Sequence, residues 1–224
     1  MAFRGQLSGR LKISVVSTGK YVMPYFLSGF LKLNSGVELI LEVTNRSKVI
    51  ESLDKNEVDF SLVSVLPDKL PIQSVALLQN KMYTVAGIES QFDEPIYNKK
   101  LFNQLPLIFR EKGSGTRLVV ENFMDRNGIP IQKKMELTSN EAVKQAVIAG
   151  LGCSIMPMIG IKNELEMKEL QILPVKGFPI ISTWNPIYLK SKRFSPVAQA
   201  FLNYVEMEKD NMKEDRFSWY EKYE

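Results

Sequence analysis

The residues best suited to bind a ligand lie in one turn, residues 110–117, between an apolar strand and an apolar helix. Arg110 follows the strand, two glycines make the turn, and Ser114 and Thr116 fall where the helix is expected to begin. The first N–H groups of a helix lack intrahelical partners, and the helix dipole is positive there. Together with the two hydroxyls and the guanidinium, these N–H groups predict a site for a small anion.

Each residue of this turn also has a structural interpretation. Arg110 can bridge neighbouring carboxylates, and Thr116 can cap the helix. Gly113 and Gly115 leave the backbone open, so we favour ligand contact for Arg110, Gly115 and Thr116. For Ser114, a helix cap and a ligand contact are equally well supported.

A wider pattern places further polar residues beside this turn. Strands and helices alternate over residues 11–65 and again over residues 105–156, which predicts two α/β lobes with parallel sheets. Ligands of such sheets bind beyond the carboxyl ends of the strands. Besides those of the turn, the polar residues expected at these ends are Thr18, Lys20, Asn45, Ser64 and Asn140.

These additional residues have structural alternatives as well. Thr18 and Lys20 follow a strand end, where a hydroxyl can simply cap the next helix, so the structural and ligand interpretations are balanced. One of Asn45 and Asn140 is expected to be an N-cap and nothing else, and Ser139 is a second candidate cap for the helix near Asn140.

The composition excludes several classes of function. The 224 residues carry a net charge of +4 and no histidine, and a single cysteine, Cys153, cannot form an internal disulfide or a CxxC metal site. A paired-carboxylate motif, a P-loop and a Rossmann glycine fingerprint are all missing from the sequence. We therefore predict no enzyme, no catalytic residues, no metal and no cofactor. Without an apolar run of roughly 20 residues or a secretory signal, a cytoplasmic protein with no membrane contact is expected.

Four motifs resemble the effector-binding domain of LysR-type transcriptional regulators, and they follow the family's order over residues 7–205. They are the first strand Leu7-Ser8-Gly9-Arg10-Leu11-Lys12-Ile13, the acidic strand start Asn56-Glu57-Val58-Asp59-Phe60-Ser61-Leu62, the ligand loop Arg110-Glu111-Lys112-Gly113-Ser114-Gly115-Thr116-Arg117 and the helix-to-strand turn Ala149-Gly150-Leu151-Gly152-Cys153-Ser154-Ile155-Met156-Pro157. The first turn and the ligand loop together are most similar to the subgroup that includes the CO2-fixation and sulfur-assimilation regulators.

This resemblance implies an α/β fold like that of the type II periplasmic binding proteins, with two Rossmann-like lobes joined by two crossing strands. Lobe I then comprises residues 1–82 and 183–224, and lobe II comprises residues 83–182. The implied function is ligand sensing: a small anionic effector binds in the interlobe cleft, and dimer geometry carries the signal to a DNA-binding domain. A solute-binding protein of a transporter is the alternative of similar fold, but it would need an export signal.

The resemblance also implies partners. In the family, the first helix and second strand of one lobe pack on a second-lobe helix of a partner, which here corresponds to residues 25–33 and 37–43 against residues 141–150. A homodimer is therefore expected, and a tetramer in the full-length protein. The family's N-terminal winged helix-turn-helix is absent from this chain, so operator DNA is expected to bind only through that missing domain.

Two further expectations concern single features of the chain. Cys153 stands where the family usually has an aliphatic residue, and we predict that it packs in the core, because a free cysteine behaves as a small apolar side chain. The charged tail, residues 206–224, is predicted to be a solvated end, although it contains several aromatic residues.

Overall fold

The computed structural model describes residues 7–92, 94–130 and 133–219. It divides into two compact units, which we call lobe I (Met1–Leu78 and Thr183–Glu224) and lobe II (Gln79–Ser182). The chain passes between the lobes within two strands, and the boundaries predicted at residues 82 and 183 lie in these same strands. Lobe I is therefore built from two segments of the chain, and lobe II from one continuous segment.

Strands and helices alternate along most of the chain. The strands are β1 (Ser8–Val16), β2 (Gly36–Thr44), β3 (Phe60–Val63), β4 (Ile72–Ser74), β5 (Leu78–Gly87), β6 (Leu107–Arg110), β7 (Lys133–Leu137), β8 (Ser154–Pro157), β9 (Leu170–Leu173) and β10 (Ile180–Leu189). The helices are α1 (Met23–Leu33), α2 (Arg46–Asp54), α3 (Gly115–Arg126), α4 (Asn140–Ile148), α5 (Lys162–Glu166) and α6 (Pro196–Phe217). Short 3-10 helices lie at Ser17–Tyr21, Lys99–Asn103 and Met158–Gly160.

The sheet of lobe I is centred on β1. This strand pairs in parallel with β2 on one side and β3 on the other, and β10 pairs antiparallel with β3 and β4. Ile13, Val15 and the serine between them are fully buried. Burial on both faces explains why the second half of β1 is nearly continuously apolar instead of alternating.

Helix α6 covers the apolar stripe of α1. Ser195 caps α6 by accepting a hydrogen bond from the Ala198 N–H, and a proline follows the cap, as predicted. Phe201 of α6 packs edge-on against Phe30 of α1, with ring centroids 5.2 Å apart. Phe26 and Phe30 are both buried. The aromatic stripe of α1 therefore belongs to the core of lobe I.

The end of α6 departs from the prediction of a solvated tail. The helix continues through the charged segment to Phe217, whose side chain is only 4% exposed. The ring of Phe217 packs edge-on against Tyr25 of α1, with centroids 5.4 Å apart. One aromatic residue thus fixes the last turns of a helix whose neighbouring side chains are mostly charged. Residues 220–224 of the tail lie outside the described residues.

Lobe II is organised around β5, which pairs antiparallel with β8 and β9, and around the parallel pair β6 and β7. Backbone hydrogen bonds from Cys153 to Pro106 and from Ile108 to Cys153 join β6 to the residue before β8. Gly152 permits this close approach, because a Cβ atom there would collide with the carbonyl oxygen of Pro106. The glycine-rich turn before β8 is therefore required by packing.

Cys153 lies in the core of lobe II, as predicted. It is 4% exposed and belongs to an apolar cluster that includes Met82, Phe102 and Ile155. Burial raises the pKa of the Cys153 thiol to about 11. At neutral pH the group is therefore protonated and behaves as a small apolar side chain rather than a reactive thiolate.

Candidate functional site

Two helix starts meet at the carboxyl edge of β6 and β7. The two strands are parallel neighbours, and Arg110 at the end of β6 is in register with Leu137 at the end of β7. The chain turns from β6 into α3 and from β7 into α4, so both helix N-termini lie at this edge. The positive ends and the first-turn N–H groups of two helices are thereby gathered at one place, as the sequence predicts for an anion site.

Arg110 is buried and already has side-chain partners. Its Nε and Nη2 atoms donate hydrogen bonds of 2.8 and 3.0 Å to the two carboxylate oxygens of Glu111. Its Nη1 donates to Oδ1 of Asn140, at 3.3 Å, in the first turn of α4. The side chains of Arg110 and Glu111 are only 4% and 14% exposed. This two-pronged ion pair is the structural role that the sequence left open for Arg110.

Arg117 stabilises the same turn through hydrogen bonds to the Arg110 backbone and to two glutamates. Its Nη1 donates to the Arg110 carbonyl oxygen at 3.1 Å and to Glu136 of β7 at 2.6 Å, and its Nε donates to Glu121 one turn along α3 at 2.6 Å. Burial by itself lowers the pKa of Arg117, but the hydrogen bonds and charges of Glu121 and Glu136 outweigh it and raise the pKa above its ordinary value. Arg117 is therefore a charged brace between α3, β6 and β7.

The hydroxyls of the turn have different roles. Ser114 is the N-cap of α3, since its side chain accepts from the Arg117 N–H. Thr116 is half-buried in the first turn of α3 and does not cap it, and no partner for its hydroxyl is found within the described residues. Gly115 between them is the first residue of α3 and is buried. Thr116 thus keeps a hydroxyl that can bond a ligand.

A small cavity lies beneath the turn, between α3, α4 and the strands of lobe II. Arg110, Thr116, Asn140 and Ser154 contribute polar groups to its lining, and the cavity volume is about 10 Å³. That volume holds about one water molecule. A ligand of several heavy atoms is too large for this cavity.

The predicted residues of lobe I lie at the carboxyl ends of its three parallel strands. Thr18 follows β1, Asn45 follows β2 and Ser64 follows β3. Asn45 is the N-cap of α2 and accepts a hydrogen bond from the Lys48 N–H, so for this residue the structural interpretation is confirmed. Lys20 lies with its Nζ 5.0 Å from the centre of the Tyr21 ring.

The capping interpretation of Thr18 is wrong. No side-chain cap is found for the 3-10 helix at Ser17–Tyr21 or for α1. Thr18 is buried and Ser64 half-buried, and in the described part of the chain neither hydroxyl has a hydrogen-bond partner. Asn140 is not a cap either, because Ser139 caps α4 and Asn140 instead accepts from Arg110. Lobe I therefore presents two hydroxyls at its strand ends, and Asn140 belongs to the Arg110 network.

Two participants in this network, Glu111 and Arg117, were not among the predicted site residues. Glu111 could have been found as the one carboxylate among the polar residues of the strand ends, directly beside Arg110. The partners of Arg117 could not, because Glu136 reaches it only through the pairing of β6 with β7. Among the described residues no group of His, Cys, Asp or Glu side chains could hold a metal ion. Over the same residues, no helix is both long and apolar enough to cross a membrane.

Comparison with protein-family models identifies the class. Residues 4–209 match the LysR substrate binding domain, so this chain belongs to that family. The resemblance in the four sequence motifs is thereby confirmed, and the fold is that of LysR effector-binding domains, which are built like type II periplasmic binding proteins. The alternative of a transporter's solute-binding protein is not favoured by this match.

The chain is also similar in sequence to curated transcriptional regulators. It is 36% identical over 209 residues to the RuBisCO operon transcriptional regulator of Acidithiobacillus ferrooxidans, with 91% of this chain and 66% of the relative aligned. It is 37% identical over 204 residues to the HTH-type transcriptional activator CmpR of Synechocystis, with 90% of this chain and 67% of the relative aligned. The chain spans about two thirds of the length of these relatives.

Solved structures agree with this assignment. The regulatory domain of Synechocystis CcmR in complex with 2-PG superposes with a TM-score of 0.86 and 33% identity, covering 92% of this chain and 99% of that one. The effector-binding domain of QuiR in complex with shikimate superposes with a TM-score of 0.80 at 18% identity, covering 92% and 99%. The first is similar in sequence and fold, and the second supports the fold alone.

Proposed function

We propose that this domain binds a small anionic effector at the carboxyl ends of its parallel strands and relays binding, without catalysis, to a DNA-binding domain in the cytoplasm. The observation that carries the proposal is the similarity to the CcmR regulatory domain, at 33% identity over 92% of this chain, because that domain is in complex with 2-PG. The RuBisCO operon regulator and CmpR, whose names describe transcriptional regulation, support a sensor rather than an enzyme.

The chemistry of the two lobes supports an anion as the ligand. In lobe II the starts of α3 and α4 meet beside Arg110, and the Thr116 hydroxyl lacks a partner among the described residues. In lobe I the hydroxyls of Thr18 and Ser64 likewise stand at strand ends. Hydroxyls and helix N-terminal N–H groups are donors that suit phosphate and carboxylate oxygens. We propose Thr18, Lys20, Ser64, Arg110, Gly115 and Thr116 as ligand contacts, with Asn45, Ser114 and Asn140 positioning them.

The first test measures thermal stability of the chain with increasing 2-PG, inorganic phosphate or sulfate. A ligand that binds only the native state raises the melting temperature in a saturable manner. Thr116→Val keeps the shape of the side chain and removes the hydroxyl, so we expect the shift with 2-PG to fall by more than half while the unliganded melting temperature stays within about 2 °C.

Asn122→Ala is the matched control for this test, because Asn122 is exposed on the same helix, α3, and is not among the proposed contacts. Its shift should equal that of the unmodified chain. An unchanged shift in Thr116→Val would remove Thr116 from the site, and no shift with any of the three anions would contradict the proposed ligand class.

We also propose that the domain acts as a homodimer through α1, β2 and α4, with tetramers and operator binding belonging to the full-length protein. In lobe I, α1 exposes Leu33 and β2 exposes Ile40 and Val43, which are 74%, 42% and 45% accessible. These are large apolar side chains exposed on two of the elements proposed for the contact, and a protein contact would remove them from water. These side chains, and not the buried Phe30 stripe, are the ones to test.

Replacing Leu33 by glutamate should lower the mass measured by sedimentation from that of a dimer to that of a monomer, because a charge would be desolvated at the contact. Met167→Glu introduces the same charge at a similarly exposed apolar residue, 68% accessible, at the end of α5 in lobe II. That control should stay dimeric. A dimer that survives Leu33→Glu would rule out this face.

A further inference from the structure

The guanidinium of Arg110, which an anionic effector would be expected to use, already carries an anion. Glu111 accepts from two of its nitrogens at 2.8 and 3.0 Å, with one carboxylate oxygen on each. This is the geometry in which arginine binds a carboxylate or phosphate ligand. The carboxylate of Glu111 therefore occupies the position that an effector oxyanion would take on Arg110.

The backbone around Glu111 is fixed, whereas among the described residues only Arg110 holds its side chain. The Glu111 N–H donates to the Leu137 carbonyl at 3.1 Å, and the Glu111 carbonyl accepts from the Ser114 N–H at 3.2 Å. In the described part of the chain, both hydrogen bonds of the carboxylate go to Arg110. The side chain is 14% exposed, which gives it a route to solvent by rotation about its own bonds.

Arg110 would keep its place if Glu111 left. Its third nitrogen, Nη1, is bonded to Asn140 of α4, and its carbonyl oxygen accepts from Arg117. Arg117 is in turn paired with Glu121 and Glu136. The guanidinium is thus anchored on one side, and the two nitrogens that face Glu111 form a fork that can exchange one oxyanion for another.

We infer that Glu111 is an internal competitor for the effector: its carboxylate holds the Arg110 fork in the unliganded domain, and an effector oxyanion binds by displacing it. This inference rests on the proposed anion-binding function. It also sets the chemical class of the effector, because displacing a two-oxygen ligand favours a carboxylate or phosphate with two coplanar oxygens over a monatomic anion such as chloride. Glu111 is accordingly a specificity-determining residue: it lowers the affinity for all anions, but it favours carboxylates and phosphates over monatomic anions.

The test is a calorimetric titration of the intact chain with 2-PG and, separately, inorganic phosphate, comparing the unmodified protein with Glu111→Gln. The glutamine keeps the size and one acceptor oxygen but loses the charge, so we expect Kd for both anions to fall by about tenfold or more. Glu111→Asp, whose shorter side chain cannot reach both nitrogens, should shift Kd in the same direction and serves if the glutamine variant does not fold. Added chloride should not reduce the heat of binding of 2-PG or phosphate in either protein.

Glu166→Gln is the matched control, because it removes one negative charge from an exposed ion pair of the same lobe, Lys162–Glu166, and leaves the Arg110 fork untouched. Its Kd should change by less than about twofold, as expected for an exposed pair. An equal gain in Glu166→Gln would show a general charge effect and overturn the competitor role. Binding by the unmodified chain with no gain in Glu111→Gln or Glu111→Asp would overturn it as well. No binding in any of the proteins would instead contradict the proposed function.

Discussion

The two lobes use the same element, a turn from a parallel strand into a helix, but stabilise it in opposite ways. In lobe I the turn at Ser17–Tyr21 has Gly19 buried against Val15 and Leu62, so that a Cβ atom on the glycine would lie 3.1 Å from each. In lobe II the turn from Arg110 is held by two buried arginines and three carboxylates. One turn depends on close apolar packing, and the other on a charge network.

Because of this difference, we expect the turn of lobe I to be rigid and the turn of lobe II to be able to change its contacts. A turn held by packing has one arrangement, because a well-packed interior does not deform continuously. A turn held by exchangeable ion pairs can lose one partner and gain another of the same charge. On this comparison, we expect a bound effector to change the contacts of the protein in lobe II, whereas the hydroxyls proposed in lobe I stay in place.

The largest effect that can break this comparison is expected from Arg110→Ala. The substitution leaves the Glu111 carboxylate, 14% exposed, without a counter-charge and removes the partner of Asn140. We expect the free energy of unfolding to fall by about 3 kcal/mol, as for other broken buried pairs. Urea titration followed by circular dichroism measures the loss.

Arg10→Ala is the control for this loss, because Arg10 pairs with Glu38 on the surface of lobe I, where the two side chains are 54% and 62% exposed. Its cost should be about 0.5 kcal/mol or less. Equal costs for the two substitutions would mean that the network of lobe II is no more than a surface ion pair.

A smaller effect is expected from Gly19→Ala, which tests packing in the turn of lobe I. The added methyl group would press on Leu62 and Val15, and neighbours at 3.1 Å must move by a few tenths of an ångström. We expect a loss of about 1 kcal/mol in the free energy of unfolding, at the lower end for overpacking.

A double-mutant cycle identifies the cause of the Gly19→Ala loss. Leu62→Ala by itself creates space beside the glycine, so Gly19→Ala should cost less in that background than in the unmodified chain. Additive losses would show that Leu62 is not what restricts the turn. The cycle thereby decides whether this turn is held by packing, as the comparison with lobe II requires.

Much of the fold follows from local signals in the sequence. The β-branched run of β1, the Ser195 cap with its proline and the glycine turn into α3 are each specified by neighbouring residues. The boundary between β4 and β5 is less well specified, since β4 ends at Ser74 and β5 already begins at Leu78. In that stretch the apolar residues are shared between two strands, and only pairing with other strands decides where each one ends.

The candidate site could be predicted from the sequence as a cluster of residues, but its side-chain network could not. Unpaired N–H groups and hydroxyls at a helix start are local, which is why Thr116 and Arg110 could be selected from the sequence. Arg110 and Glu111 pair because of the rotamers of their side chains, and the spacing of residues in the sequence does not predict rotamers. The tail illustrates the same limit, because buried Phe217 packs against Tyr25, which is far away in the sequence.

The division of lobe I into two segments of chain has a consequence for the order in which the protein is made. All of lobe II lies between Gln79 and Ser182, so the ribosome completes it while lobe I still lacks β10 and α6. Until those elements emerge, β3 has an open edge and the α1 stripe has no cover. The nascent chain therefore carries a complete lobe II and an incomplete lobe I whose apolar surface is exposed. We expect the chain to be most prone to aggregation before β10 and α6 are synthesised.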